Sequence, residues 1–312
     1  MDIYSQQGKL VNLDIGNSVQ VSIADLMHAD ELIVQIDKKA QMEKLHDFFA
    51  ATPIAKPLAE IFKVVQGKGE ADASIELLVG SKFKGGASVS GKVNLNDLPV
   101  FIATPGIELK NLTGELNFKN DNITLKNATA KWLGMPLTID YSSKSDAKNY
   151  QANIDINAKI DADTLIDSGQ GILKNYLSGQ SDVDIGLVLN FEEQGFNYRA
   201  QVTSELLGLT SNLPAPYNKN SEQVWALDAV VQGDDISNLI TANANQQFYF
   251  NAILENGKSQ FSNVHFVLGK QDLGLNQKDL SVNINLEQSE LVPWFDLIDQ
   301  IIKAGKANPD KK

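Results

Sequence analysis

The side chains that most often do chemistry are few and scattered in this chain. Its three histidines, His28, His46 and His265, are far apart, and none falls in an HExxH or His-x-His arrangement that would gather zinc ligands. There is no cysteine, so neither a disulfide nor a thiolate metal site is available. The acidic pairs Asp161/Asp163, Asp182/Asp184, Glu192/Glu193 and Asp234/Asp235 are the remaining candidates for paired-carboxylate or calcium chemistry. They fall at strand ends, at turns or on a strand's polar face, where solvated carboxylates are expected. "GKGEAD" at Gly67 follows a helical pattern instead of leading into one, so it reads as a helix stop and not as a phosphate cradle. No G-x-S-x-G nucleophile elbow is present. Asn111-Leu-Thr, Asn122-Ile-Thr and Asn127-Ala-Thr match the glycosylation triplet, as Asn/Thr-rich strands do by chance. The expectation is a protein without metal, cofactor or catalytic activity.

The elements around these residues are mostly strands. Leu10, Val11, Leu13, Ile15, Val19, Val21 and Ile23 follow a two-residue alternation broken by Gly-Asn-Ser. A helical pattern then runs through "QMEKLHDFFAATPIAKPLAEIFKVVQG", divided at Thr52-Pro53 because the residue before proline is pushed out of the helical region. Strands return until a second helix, predicted near 163–178 in "DADTLIDSGQGILKNYLSG", with Asp161 or Asp163 as N-cap and Gly179 as stop. More strands follow, and a last amphipathic helix is predicted near 290–304 with Pro293 in its first turn. Three blocks result, 1–66, 67–180 and 181–312, each several strands and then a helix. Strict strand–helix alternation is absent, so the fold class is mainly β, an antiparallel meander with about three short amphipathic helices.

Composition narrows the partners. With 43% apolar and 21% charged residues the chain is globular, and a net charge of −12 without a basic stripe excludes nucleic acid. The same charge repels anionic lipid surfaces. No apolar run reaches the ~20 residues of a membrane span. "MDIYSQQGKLVNLDI" carries polar residues where a secretory signal would be apolar. A methionine directly before mid-strand sequence suggests a piece of a longer protein, with any anchor outside it.

Many strands are one-sided. Val183, Ile185, Leu187, Leu189 and Phe191 share a face, as do Phe248, Phe250, Ala252 and Leu254, and also Leu280, Val282, Ile284 and Leu286. Ala152, Ile154, Ile156 and Ala158 form another such row, while the alternate positions are Asp, Asn, Gln, Lys and Ser. So much apolar face needs more cover than three short helices supply. Two readings stand: the sheet folds onto itself into a closed core, or it curls into an open trough whose floor holds a lipid-like ligand. Trp132, Trp225 and Trp294 read as core or lid packing.

The stretch "LGLTSNLPAPYNK", Leu207 to Lys219, places Pro214 and Pro216 beside Leu213 and Tyr217. Two missing donors and two fixed φ angles suit a rim that ends a strand without inviting another. Gly208, Leu213, Pro214, Pro216 and Lys219 here, with Gly114, Leu116, Phe118, Trp132, Gly134 and Pro136 upstream, resemble segments of the AsmA-like YhdP family. So does the strand–turn–helix "SVNINLEQSELVPWFDLI". The resemblance implies repeating β-groove units in a strongly curved, elongated sheet. It implies an inner-membrane-anchored protein of a Gram-negative bacterium that extends through the periplasm and moves phospholipid toward the outer membrane. The three blocks would then be successive groove units, tied to the rest of the parent polypeptide and its anchor. Acyl chains of phospholipid would lie on Ile154, Ile156, Val183, Ile185, Leu187, Leu189, Phe248, Phe250, Val282 and Ile284, with Leu213, Tyr217 and Trp294 at the rim or lid. The alternative is an envelope scaffold with a closed core and no lipid cargo.

Overall fold

The computed structural model describes residues 2–4, 9–10, 13–14, 19–23, 31–44, 65–80, 86–102, 107–145, 149–168, 174–192, 195–258, 261–269, 280–286 and 292–297. Apart from a ribbon of Lys9–Leu10 with Leu13–Asp14, its strands belong to an open, 19-stranded, mainly antiparallel sheet. Short helical segments lie at 42–44, Ala162–Ser168 and 292–297. The predicted mainly-β class is therefore what forms. The first helical pattern is described only at its ends, 42–44 and the strand Val65–Gly67; His46 and His28 lie outside the described residues.

The second helix is shorter than its pattern. It covers Ala162–Ser168 and starts from Asp161, whose Oδ1 accepts the Thr164 N–H at 2.8 Å; Asp163 sits inside the first turn. The chain is already a strand from Leu177, so the expected reach to 178 was too long. Gly179 is not a helix stop. It lies in that strand at φ +97, where a Cβ would run into the Gly208 carbonyl of the paired strand.

Two compact units divide the chain, Met1–Ile154 with Asn190–Glu193, and Asp155–Leu189 with Gln194–Lys312. In the first, long hairpins Glu70–Gly80, Ala87–Ile102, Ile107–Lys119, Asn122–Trp132 and Met135–Ser145 put alternate residues on one face. Register aligns Ile36, Ile75, Gly91, Phe118 and Ile123 in one row across five strands. Ile36, Ile75, Phe118 and Ile123 are buried, as are Val93, Leu95, Leu125, Ala128, Leu137 and Ile139 on the same face. This is the core of the unit. Gly91 is required in it, because a Cβ there would meet Phe118 Cζ at 2.9 Å and the Ser74 carbonyl oxygen. The opposite face is a solvated polar ladder, with Lys92–Glu115 at 3.7 Å and Gln41 donating to Glu70 at 2.8 Å.

Two of the three Asn-x-Thr triplets acquire a backbone reason. Asp97, Asn111 and Asn127 have φ of 57, 57 and 50, at points where the register shifts: between Leu95 and Leu98, opposite the shift from Leu98 to Val100, and between Leu125 and Ala128. These are bulges, and Asn and Asp tolerate the left-handed conformation better than other side chains. Their polar groups are tied down locally: Asn111 donates to Asp97, and the Asn127 N–H donates to Asp140 Oδ1 at 2.6 Å. Lys126 adds an ion pair to Asp140 at 3.1 Å. The backbone donor first, and Lys126 second, hold the Asp140 carboxyl below its ordinary value. A depressed folded-state value means stabilisation that is present above pH ~4 and lost as pH falls through the folded value. Asp140→Ala should therefore lower the urea midpoint at neutral pH, and the gap from the parent protein should close under acid.

Candidate functional site: an apolar sheet face

In the second unit, register collects the one-sided strands into a single face. Ser181 and Ser204 hydroxyls meet at 3.1 Å, which puts Val183, Ile185, Leu187 and Leu189 on the side of Phe196, Tyr198, Ala200 and Val202. Antiparallel pairing carries that side through Ala229 and Val231, then Ala242 and Ile240, then Phe250 and Ala252. It continues to Phe266 and Val264 and, across a parallel pair, to Val282 and Leu280, while Phe248, Leu268 and Ile284 form the neighbouring row. Asn157 donates to Asp184 on the reverse side, so Ile156 belongs to the same apolar face. Ile154 lies two residues earlier on that strand and falls in the first unit. Val282 is placed by register alone; the other strand residues expected in the site lie on apolar strand faces, and those of the second unit share one face.

The cover over this face differs from that in the first unit. Val183, Leu189 and Ala252 are buried, but Ile156, Ile185, Leu187, Phe248 and Phe250 are only half-buried and Ile284 is 63% exposed. Phe250 and Phe266 rings lie 4.9 Å apart, and Phe248–Phe266 and Phe250–Phe261 each 6.1 Å, forming an aromatic patch with Phe261 47% exposed. A continuous, partly open apolar surface of this kind is a feature of interaction sites. On the strand Gly195–Ser204 polar groups bracket this face: the Ser181–Ser204 pair at one end, and the Tyr198 hydroxyl donating to Asn238 Oδ1 at 2.6 Å at the other. Tyr198 and Ser204 are six residues apart on one strand, so the apolar band between them is ~20 Å long.

The Leu207–Lys219 corner is built tightly. Leu209–Asn212 pairs with Leu177–Gly179 on one side and Asn218–Lys219 on the other, leaving Pro214 and Pro216 outside the ladder. The Ala215–Pro216 peptide is cis. Tyr217 is buried; its hydroxyl donates to the Gln247 carbonyl at 2.8 Å. Trp294 lies edge-on to it at 5.6 Å and donates through Nε1 to the Ala215 carbonyl at 3.3 Å. The predicted rim residues Tyr217 and Trp294 are thus brought together, and Leu213 is half-buried beside them in sequence. Lys219 was read only as part of a signature. It is 3% exposed, with its amine donating to the Leu209 and Asn220 carbonyls at 2.7 and 3.0 Å, and burial pushes its amine below the usual lysine value. A lysine after strand residues carries no sequence signal of burial, so this role was not legible.

One member of each of three acidic pairs is a hydrogen-bond acceptor. Asp161 caps a helix and accepts Gln180, Asp184 accepts Asn157, and Asp234 Oδ1 accepts the Ile236 and Ser237 N–H groups. Among the described residues no three His, Cys, Asp or Glu side chains gather as metal ligands. Among them, too, no helix is long and apolar enough to cross a membrane. If the edge-on ring contact fastens the last described helix to the corner, truncating both rings should be non-additive. Tyr217→Leu and Trp294→Leu should show a coupling of about 0.5–1.5 kcal/mol in a urea double-mutant cycle; additive losses would mean that the two rings pack independently.

The family model described as YhdP protein matches residues 1–312. The chain is similar to the intermembrane phospholipid transporter YhdP of Escherichia coli (strain K12), 26% identical over 229 residues, which is 72% of this chain and 18% of that protein. The chain therefore spans less than a fifth of the length of that relative. No solved structure matches it significantly. The chain belongs to the YhdP family.

Proposed function

We propose that this chain is one segment of a bridge-like lipid carrier, passing phospholipid along the apolar strand face between the inner and outer membranes of a bacterial envelope. The observation that carries the reading is the half-open face of Ile156, Ile185, Leu187, Phe248, Phe250 and Ile284, continuous by register. Acyl chains laid on it gain about 0.8 kcal/mol per methylene removed from water. Headgroups stay in solvent, which accounts for a surface without a dedicated charged site. The relative is named for phospholipid transport between membranes, which supports the cargo class. In this reading the blocks 1–66, 67–180 and 181–312 are successive groove units, and the parent polypeptide supplies an inner-membrane anchor and periplasmic placement.

A second reading, an envelope scaffold with a closed core, is favoured by one observation: the apolar face of the first unit is already covered, with Leu95, Leu125, Ala128 and Ile139 buried. The two readings differ in cargo. Lipid extraction and native mass spectrometry of the purified chain should show co-purifying phospholipid. Ile185→Asp and Phe250→Asp should each lower its occupancy several-fold while the protein still melts cooperatively, because both side chains are half-buried. Leu137→Asp, in the covered core, should unfold its unit instead. Lipid-free protein, or equal loss of folding from all three substitutions, would favour the scaffold.

A further inference from the structure

Asn251, His265 and Ser281 stand side by side on adjacent strands. Asn251 pairs with His265 across an antiparallel ladder, and His265 with Ser281 across the parallel one. They alternate with Phe250, Ala252, Phe266 and Val282, so they occupy the reverse of the apolar face. This reverse side is closed here: His265 is 1% exposed, Asn251 7% and neighbouring Val267 1%. Among the described residues three buried side-chain polar atoms have no hydrogen-bond partner in the protein, and all three belong to this row: Asn251 Nδ2, His265 Nδ1 and Ser281 Oγ. Native proteins seldom leave one such group unpaired, and three in one register row form a site.

The donor chemistry of the row follows from Asn283. Its Nδ2 lies 2.9 Å from His265 Nε2. With that amide as the donor, Nε2 is the acceptor and the ring proton sits on Nδ1. His265 Nδ1–H and Asn251 Nδ2–H are then both donors, and the Ser281 hydroxyl takes either role. A set of this kind calls for a small acceptor. An anion is disfavoured, since no lysine or arginine stands in the row and an unpaired buried charge costs more than neutral donors return. The oxygens of a carried lipid are disfavoured too, because they would lie on the other side of the sheet.

We propose that the row Asn251–His265–Ser281 binds one water molecule, which accepts from the imidazole Nδ1–H and the Asn251 amide and exchanges a hydrogen bond with Ser281. Three partners are what an internal water needs. The site does more than satisfy donors. It spans the Asn263–Gly269 and Leu280–Asn285 strands, the parallel pair, and a one-residue slip would turn Ser281 to the other face and dissolve it. The water thus keys the register that keeps Ile284 on the apolar face.

Long-range proton–nitrogen NMR of the full chain with His28→Gln and His46→Gln, which leaves His265 as its one imidazole, tests this directly. The expected spectrum shows a neutral ring protonated on Nδ1, with that proton exchanging slowly and cross-relaxing to a long-lived water. Ser281→Ala should keep the tautomer but speed Nδ1 proton exchange about tenfold, as one of three water partners is lost. A proton on Nε2, or a protected Nδ1 proton without water cross-relaxation, would overturn the proposal. The parent spectrum decides the matter even if the Ser281 variant fails to fold.

Discussion

Everything in this molecule depends on what covers the apolar side of strands that are polar on the other. A strand that alternates Val, Ile and Phe with Asp, Asn and Lys can bury only one face, and a sheet of such strands has one side that water disfavours throughout its length. The first unit resolves this within its own chain: Ile75, Val93, Phe118, Leu125 and Ile139 are all buried. The second unit leaves the matter partly open, with Ile185, Leu187, Phe248 and Phe250 half-buried along seven registered strands. That difference, more than any single side chain, is what the proposed carrier role rests on.

Keeping so long a face in phase requires devices that do not themselves pack. In the first unit Asp97, Asn111 and Asn127 take up left-handed bulges, and each is pinned by a hydrogen bond to its neighbourhood: the Asp97 N–H donates to Thr113 Oγ1, Asn111 donates to Asp97, and the Asn127 N–H donates to Asp140. Bulges re-aim the strand so that apolar residues beyond the shift return to the core side. In the second unit the close approaches of Gly179 to Gly208, and of Gly233 to Asn238, do comparable work where a Cβ has no room. The Leu207–Lys219 corner adds a fixed point: a buried lysine bonded to two carbonyls, a buried tyrosine bonded to a third, and a tryptophan laid edge-on.

Much of this was legible in the sequence, for a physical reason. Two-residue alternation is a direct imprint of a half-buried strand, so Val183 to Leu189 and Phe248 to Leu254 announce their shared face without any knowledge of partners. The same alternation cannot say whether that face is covered, because cover comes from distant segments; Leu137 and Ile185 look alike in sequence and differ only in what lies over them. The helix near 163–178 was overextended because Leu165, Ile166, Ile172 and Leu173 sustain a helical spacing, whereas strand pairing with Leu209–Ser211 claims the chain from Leu177. Two of the three Asn-x-Thr triplets looked accidental until the backbone showed Asn111 and Asn127 in the left-handed region. The burial of His265 was hidden because one histidine in an alternating strand carries no mark of what encloses it.

Face-resolved photocrosslinking in cells probes the central claim most directly. A photoreactive residue in place of Ile185 or Phe250 should attach to phospholipid, whereas one in place of Gln201 or Gln232, on the reverse face of the strands that lie between theirs, should not. Equal labelling from both faces, or lipid adducts from neither, would contradict a carrier that works by laying acyl chains on one side of its sheet.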